Sequence, residues 1–136
     1  MGYSLRDGLS RDECIARLRG SRVGRVGVSI DALPAILPVN FALLRDAILL
    51  CPSETSALFH AGVGSVVAFE VDSVDDAGHV EWSILARGIG LEVIEADELA
   101  IASSLWLKTW PRWKSAGRYI VIPTTMLSGR RLDLVD

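Results

Sequence analysis

The stretch Ser65-Val-Val-Ala-Phe-Glu-Val-Asp72 decides the fold class of this chain. Its apolar residues alternate with polar ones, and Glu70 and Asp72 fall on the face opposite to the large apolar side chains. This period of two predicts a β-strand with one face in water. The cluster Asp75–Gly78 then predicts a turn, and Val80–Val93 predicts a long strand kinked near its glycines. Two strands joined this directly are typical of an antiparallel sheet.

The segments before this hairpin also alternate with a period of two. Val23–Ile30, Ala35–Leu44 and Ala47–Cys51 follow one another with short turns between them, which predicts a meander of three strands. Pro38 cannot donate to a β-ladder, so its strand is expected at an edge, a bulge or a bend. Gly27 within the first strand indicates close approach of another backbone or a ligand.

Three short helices are predicted around these strands. Ser10 and Glu13 form a capping box that starts a helix over 11–19. Residues 53–61 predict about two helical turns, and 98–109 predict an amphipathic helix that Pro111 ends.

A last long strand is predicted over 118–123, which gives about six strands in all, and residues 128–132 could add a short piece of strand. Because the strands outnumber the helices and follow one another directly, a parallel α/β sheet is not expected. The sequence therefore predicts one mainly β (α+β) domain over 1–136, a small antiparallel barrel with short helices at its ends.

Composition excludes several classes of function. The chain has 136 residues, of which 50% are hydrophobic, and a formal net charge of −3 without a basic block, so nucleic-acid binding is not expected. The two cysteines, Cys14 and Cys51, cannot by themselves form a disulfide framework or a four-ligand zinc site, and His60 and His79 are the only histidines, so little metal chemistry is expected. With no signal peptide and no apolar run near the roughly 20 residues of a membrane span, we expect a cytoplasmic protein without a membrane partner.

Three clusters could carry binding, and each has a simpler alternative. Hydroxyls at Ser53, Thr55 and Ser56 begin a predicted helix, where they either cap it or hold a phosphate. Three tryptophans are clustered around the end of the third predicted helix: Trp106, Trp110 and Trp113. They either pack in the core, or cover a planar ligand or close a dimer contact. The pair Arg130-Arg131 is either solvated or binds a phosphate or carboxylate. These residues alone do not specify a reaction.

Seven short segments form an ordered set over roughly residues 10–133: Gly24–Val28, Pro34–Phe41, Ala47–Leu50, Val67–Asp72, Trp82–Gly88, Arg118–Pro123 and Ser128–Leu132. Together they resemble the pyridoxamine 5′-phosphate oxidase-like superfamily of FMN-binding split barrels. Within it, they are most similar to small actinobacterial proteins related to nitroimidazole-resistance proteins. The resemblance implies a six-stranded antiparallel split β-barrel with short flanking helices that forms a homodimer.

The resemblance also implies a function. FMN would lie in a groove between the subunits, and the protein would be an FMN-dependent oxidoreductase of unknown substrate, with a small-molecule redox substrate or donor as partner. The flavin would carry the chemistry, so no catalytic side chain is assigned. The alternative is a non-catalytic protein of the same fold that binds a flavin, the deazaflavin F420 or haem.

The site residues follow from the resemblance. The flavin ring would lie between two strands, lined by Pro38, Val39 and Asn40 and by Leu50, Cys51 and Pro52. The turn that holds the phosphate would contain Ser53, Thr55, Ser56 and Ala57. Further cofactor contacts would come from Arg25, Trp82, Ser83, Trp113 and Arg118. Many relatives carry a lysine where this chain has Ala57, so that one cation is missing here, and Arg25, Arg87 or Arg118 of either subunit would have to neutralise the phosphate in its place.

Overall fold

The computed structural model describes residues 2–5, 8–53, 56–112 and 117–135, with side chains over 8–53, 56–112 and 117–131. In chain order the elements are β1 (Gly2–Leu5), α1 (Arg11–Arg19), β2 (Val23–Ile30), β3 (Leu33–Asn40), β4 (Ala42–Leu44), β5 (Ala47–Leu50), α2 (Ala57–Gly62), β6 (Val66–Val74), β7 (Val80–Ile89), β8 (Leu91–Glu92), α3 (Ala96–Thr109), β9 (Ile120–Ile122) and β10 (Met126–Val135).

The strands form two antiparallel sheets. The larger has the order β10-β7-β6-β2-β3, and β1 extends it to six strands by pairing with the end of β10. The smaller has the order β4-β5-β9-β8. The mainly β, antiparallel prediction is confirmed. The predicted six-stranded split barrel needs correction in its strand arrangement, since the described chain divides its strands between two sheets and does not close six of them into one barrel.

The chain passes from one sheet to the other at two points that were predicted as strand interiors. The predicted strand Ala35–Leu44 is interrupted at Phe41, between β3 and β4. The predicted strand Val80–Val93 is interrupted at Gly90, between β7 and β8. Phe41 is 1% exposed and packs edge-on against the Phe69 ring, with 4.9 Å between the centroids. Burial of this side chain therefore anchors the first crossing.

Two cores stabilise the molecule. The first lies under the inner face of the larger sheet, and its fully buried side chains include Val26, Phe69 and Ile84. The second packs α3 onto the smaller sheet around Trp106 and Tyr119, each 0% exposed. The described tryptophans, Trp106 and Trp110, therefore contribute to core packing, which was the simpler of the alternatives for this cluster.

The first two helices begin at serine caps. In α1, the Ser10 Oγ accepts from the Glu13 amide at 3.1 Å, and the Glu13 carboxylate accepts from the Ser10 amide at 3.4 Å. The predicted capping box is thus confirmed. The second helix begins later than predicted, at Ala57, and has only six residues.

Two backbone predictions have different outcomes. Pro38 does lie in an edge strand, because β3 ends the larger sheet. Gly27 is not crowded, since a Cβ there would lie 3.6 Å from that of Ala68. The crowded glycine is Gly24, on the inner face of β2, where a Cβ would overlap the Phe69 ring. Packing of the aromatic core therefore requires glycine at 24 rather than at 27.

Candidate functional site

A pocket of about 420 Å³ opens where β2, β3, β5 and the segment before α2 meet. We call it the site pocket. It is lined by Val23, Leu37, Pro38, Val39, Asn40, Leu50, Cys51, Pro52, Ser53, Ser56 and Leu58. Its volume is within the usual range for small-molecule sites.

The sheet register brings these segments together. The start of β2 pairs with the end of β3, so Val23 lies opposite Asn40. The chain then crosses to the smaller sheet, where β5 ends at Leu50. Pro52 lies two residues further on and cannot extend the ladder as a donor. The pocket thus forms at the junction of the two sheets.

The walls of the site pocket are mostly apolar. The polar side chains among its described lining residues are neutral: Asn40, Cys51, Ser53 and Ser56. Asn40 offers both a donor and an acceptor, and the serines offer hydroxyls. Such a surface suits a flat apolar ring with a neutral polar edge.

The turn into α2 is held by its own serines. The Ser56 amide donates to the Ser53 carbonyl at 3.0 Å, and the Ser56 Oγ accepts from the Phe59 amide at 3.2 Å. Capping thus occupies the Ser56 oxygen as an acceptor, while its hydroxyl proton can still be donated. Ala57 is exposed next to this turn. The predicted site residue Thr55 lies outside the described residues.

The two arginines predicted to contact the cofactor have acidic partners. Arg25 on β2 is paired in register with Glu70 on β6. Its guanidinium lies 3.3 Å from the Glu70 carboxylate and 3.1 Å from that of Asp72. The Arg118 guanidinium donates to both carboxylate oxygens of Glu92, at 2.9 and 2.8 Å. This pairing holds the pKa of Glu92 below its ordinary value. Neither arginine lines the site pocket.

The remaining predicted residues lie elsewhere on the larger sheet. Trp82 is on the inner face, where the Arg17 guanidinium lies 5.1 Å from its ring centroid. Ser83 points to the opposite face and lines a separate depression with Glu70 and Arg130. Trp113 lies outside the described residues. The chain therefore brings together the residues expected to line the ring but leaves Arg25, Ala57, Trp82, Ser83 and Arg118 outside the lining of the pocket.

The sequence analysis predicted no chemical role for the acidic pair Glu70 and Asp72. Glu70 and Asp72 were predicted only as a wet strand face, yet both are partly buried and contact Arg25. Burial, together with the hydrogen bond and charge of Asp72, raises the pKa of Glu70 to about 7, and Arg25 offsets only part of this. The available signal was two acids spaced by two residues on one strand.

The histidines show no metal-binding arrangement. His79 lies 3.3 Å from Asp75 within the β6–β7 turn, and His60 is exposed near the end of α2. Within the described ranges, no three histidine, cysteine, aspartate or glutamate side chains are grouped to hold a metal.

No helix in the described part of the chain has both the length and the apolar character needed to cross a membrane.

Comparison with known proteins finds similar chains and folds. A family model described as pyridoxamine 5′-phosphate oxidase matches residues 10–131. The uncharacterized protein Rv0080 of Mycobacterium tuberculosis is 32% identical over 97 residues, 68% of this chain and 64% of that protein. The chain thus spans less than two thirds of that relative.

Two solved structures share the fold over nearly their full length. The FAD binding protein from Mycobacterium smegmatis is 26% identical, with a TM-score of 0.73, covering 92% of this chain and 99% of that one. A Corynebacterium glutamicum protein, provisionally described as a pyridoxamine 5′-phosphate oxidase, is 32% identical, with a TM-score of 0.75, covering 96% and 95%.

Proposed function

Because the chain belongs to the pyridoxamine 5′-phosphate oxidase family, we propose that it binds a flavin in the site pocket. One observation carries this proposal: most of the residues expected to contact the cofactor converge on one pocket. They are Pro38, Val39, Asn40, Leu50, Cys51, Pro52, Ser53 and Ser56. The name of the M. smegmatis relative, an FAD binding protein, supports a flavin as the ligand class.

The residues of the pocket fit the flavin ring. Pro38, Leu50 and Pro52 present apolar surface to a flat heterocycle, which is stabilised by leaving water. The Asn40 amide matches the carbonyl and imide groups along the polar edge of the ring, because it can donate and accept. We therefore assign FMN, or a closely related flavin, as the cofactor.

The proposed activity is that of an oxidoreductase acting on a small-molecule redox substrate or donor. A bound flavin would supply transfer of a hydride or an electron pair. The protein's part is to hold the ring, exclude water with Leu50 and Leu58, and hydrogen-bond its edge through Asn40. These roles require no ionisable catalytic side chain.

We also propose that two copies associate through the outer face of the larger sheet, defined here as the face that carries Arg25, Glu70 and Arg130. It exposes large apolar side chains: Val23, Ile36, Val66, Ile89 and Met126. It also carries charges of both signs. A twofold contact needs a self-complementary surface, which exposed apolar side chains together with charges of both signs can supply.

A second candidate is a flavin-binding protein without turnover. The neutral lining of the pocket favours it, since nothing among the described lining side chains carries a full charge for a charged substrate. F420 is a poorer fit than a simple flavin because its tail is acidic. Haem would depend on Cys51 as an iron ligand, since exposed His60 is not among the lining residues.

The test of flavin binding uses two variants of one hairpin. Val23 lines the site pocket and is 56% exposed, whereas Leu33 is 69% exposed and lines no part of it. We expect Val23→Trp to fill the mouth of the pocket and weaken FMN binding at least about tenfold. Leu33→Trp should leave it unchanged.

Absorbance and flavin-fluorescence titrations measure both variants, with circular dichroism as the check on folding. Equal FMN affinity in folded Val23→Trp and wild type would place the flavin elsewhere. Anaerobic bleaching by NADPH, with recovery on adding an acceptor, would support the oxidoreductase. Binding without bleaching by any donor would favour the second candidate.

A further inference from the structure

The site pocket matches one part of a flavin and not another. Its lining is apolar apart from neutral amide, hydroxyl and thiol groups. The sequence extends this across the turn before α2, because the only charged residues over 46–59 are Asp46 and Glu54. A phosphate dianion is stabilised by cations, whereas this segment supplies only acidic charge.

Arg25 and Arg118 are held by other groups, and Arg87, exposed on β7, is not among the residues that line the pocket. Arg25 contacts Glu70 and Asp72, and its release would leave two partly buried acids without their cation. Arg118 is fixed in a two-point pair with Glu92, and its guanidinium also lies 4.2 Å from the Phe59 ring centroid.

Arg22 is also held by groups outside the pocket. It donates to the Thr109 carbonyl at 3.2 Å, and its guanidinium lies 5.4 Å from the Trp110 ring centroid. Turning it toward a phosphate would break both contacts.

The helix after the turn is also a weak source of positive potential. It has six residues, Ala57–Gly62, so few peptide dipoles are aligned. The Ser56 Oγ caps this helix by accepting a hydrogen bond from the Phe59 amide. The free energy of binding must then come from the ring, through burial against apolar walls and hydrogen bonds to neutral groups.

We propose that the site pocket recognises the ring of a flavin and is indifferent to its phosphate, so that riboflavin, FMN and FAD bind with similar affinity. This rests on the proposed function. A charge-assisted contact to the phosphate would instead favour FMN over riboflavin by roughly ten- to a hundredfold. The cofactor is thus selected by the part that all three molecules share.

The test is titration of the wild-type full chain with riboflavin, FMN and FAD, followed by quenching of flavin fluorescence. We expect the three Kd values to agree within about threefold, and the FMN Kd to change little between about 0.05 and 0.5 M salt. An FMN affinity more than about tenfold above that of riboflavin would overturn the inference and leave flavin binding intact. Failure of all three to bind would overturn the proposed function itself.

A gain-of-function variant provides an independent arm. Ala57 is exposed beside the turn, so Ala57→Lys places a cation there with room for its side chain. We expect it to tighten FMN binding at least about tenfold, with riboflavin binding unchanged. Ala57→Gln adds a neutral side chain at the same position as the matched control, and its ratio of FMN to riboflavin affinity should stay that of the wild type. An unchanged ratio of FMN to riboflavin affinity in Ala57→Lys would show that a cation is not what the site lacks.

Discussion

At the scale of single residues, the distribution of charge distinguishes the site pocket from the rest of the molecule. The pocket is neutral, while Arg25, Glu70 and Asp72 form a charged cluster on the outer face. In this cluster, burial and Asp72 outweigh the attraction of Arg25, and the pKa of Glu70 rises to about 7. Sequence periodicity placed these acids on the correct face but gave no information about the arginine that joins them.

The raised pKa of Glu70 makes folding depend on pH. The unfolded chain loses this proton near its ordinary pKa of 4.5, whereas the folded chain keeps it up to about pH 7. The folded state therefore holds more protons between these values, and this group's contribution to stability falls as pH rises through that window.

Glu70→Gln mimics the protonated side chain and should remove this dependence. We expect its Tm relative to wild type to be little changed at about pH 4.5 and to rise steadily until about pH 7.5. Thermal melts across this range measure the difference. Glu81→Gln, an exposed position on β7, is the control and should show no such trend. A constant difference between Glu70→Gln and wild type would contradict the assignment.

At the scale of elements, the segment that follows α2 is held to the sheets by backbone contacts at Gly90. The Gly90 amide donates to the Ser65 carbonyl at 3.0 Å, and its carbonyl accepts from the Gly64 amide at 2.7 Å. A Cβ at Gly90 would overlap the Gly62 carbonyl oxygen. This glycine is thus required by close backbone approach where the chain changes sheets.

Gly90→Ala should therefore destabilise the fold. We expect a loss of about 1–3 kcal/mol, as for overpacked sites, because the backbone of α2 must shift. This corresponds to a fall in Tm of roughly 4–12 °C. Gly20→Ala is the matched control, since a Cβ there would lie 3.7 Å from its nearest neighbour, the Ala16 carbonyl oxygen. Equal melting temperatures of the two variants would show that the backbone at Gly90 has room for a methyl group.

At the scale of the whole molecule, the outer face of the larger sheet is the proposed contact between two copies. Val66 and Ile89 lie opposite each other on adjacent strands and are 72% and 48% exposed. A paired apolar surface on a sheet face is stabilised when a second copy covers it. Because Pro38 lines the site pocket and lies opposite Arg25 on this face, assembly and cofactor binding are expected to be linked.

Val66→Lys should separate the two copies by placing a charge in the contact. We expect monomers by analytical ultracentrifugation where the wild type sediments as a dimer, and weaker FMN binding in the same preparation. Ile94→Lys is the control, because Ile94 is 79% exposed but follows β8 in the smaller sheet. If Val66→Lys sediments as wild type does, the outer face is not the contact.

Local features of this protein could be predicted from its amino-acid sequence. Alternation along Val66–Val74 specified a strand, and Ser10 with Glu13 specified where α1 begins. Such signals are readable because periodicity and capping depend on neighbours within a few residues. The set expected to line the ring was also available from sequence, although only through resemblance to a family.

The tertiary structure decided what depends on distant residues. Crossings at Phe41 and Gly90 divide the strands between two sheets, since long-range packing of the Phe69 ring and the Gly62 backbone fixes where each strand ends. The partners of Arg25 and Arg118 likewise come from strands far away in sequence. An arginine's charge is visible in the sequence, but whether that charge remains available to a ligand is set by the fold.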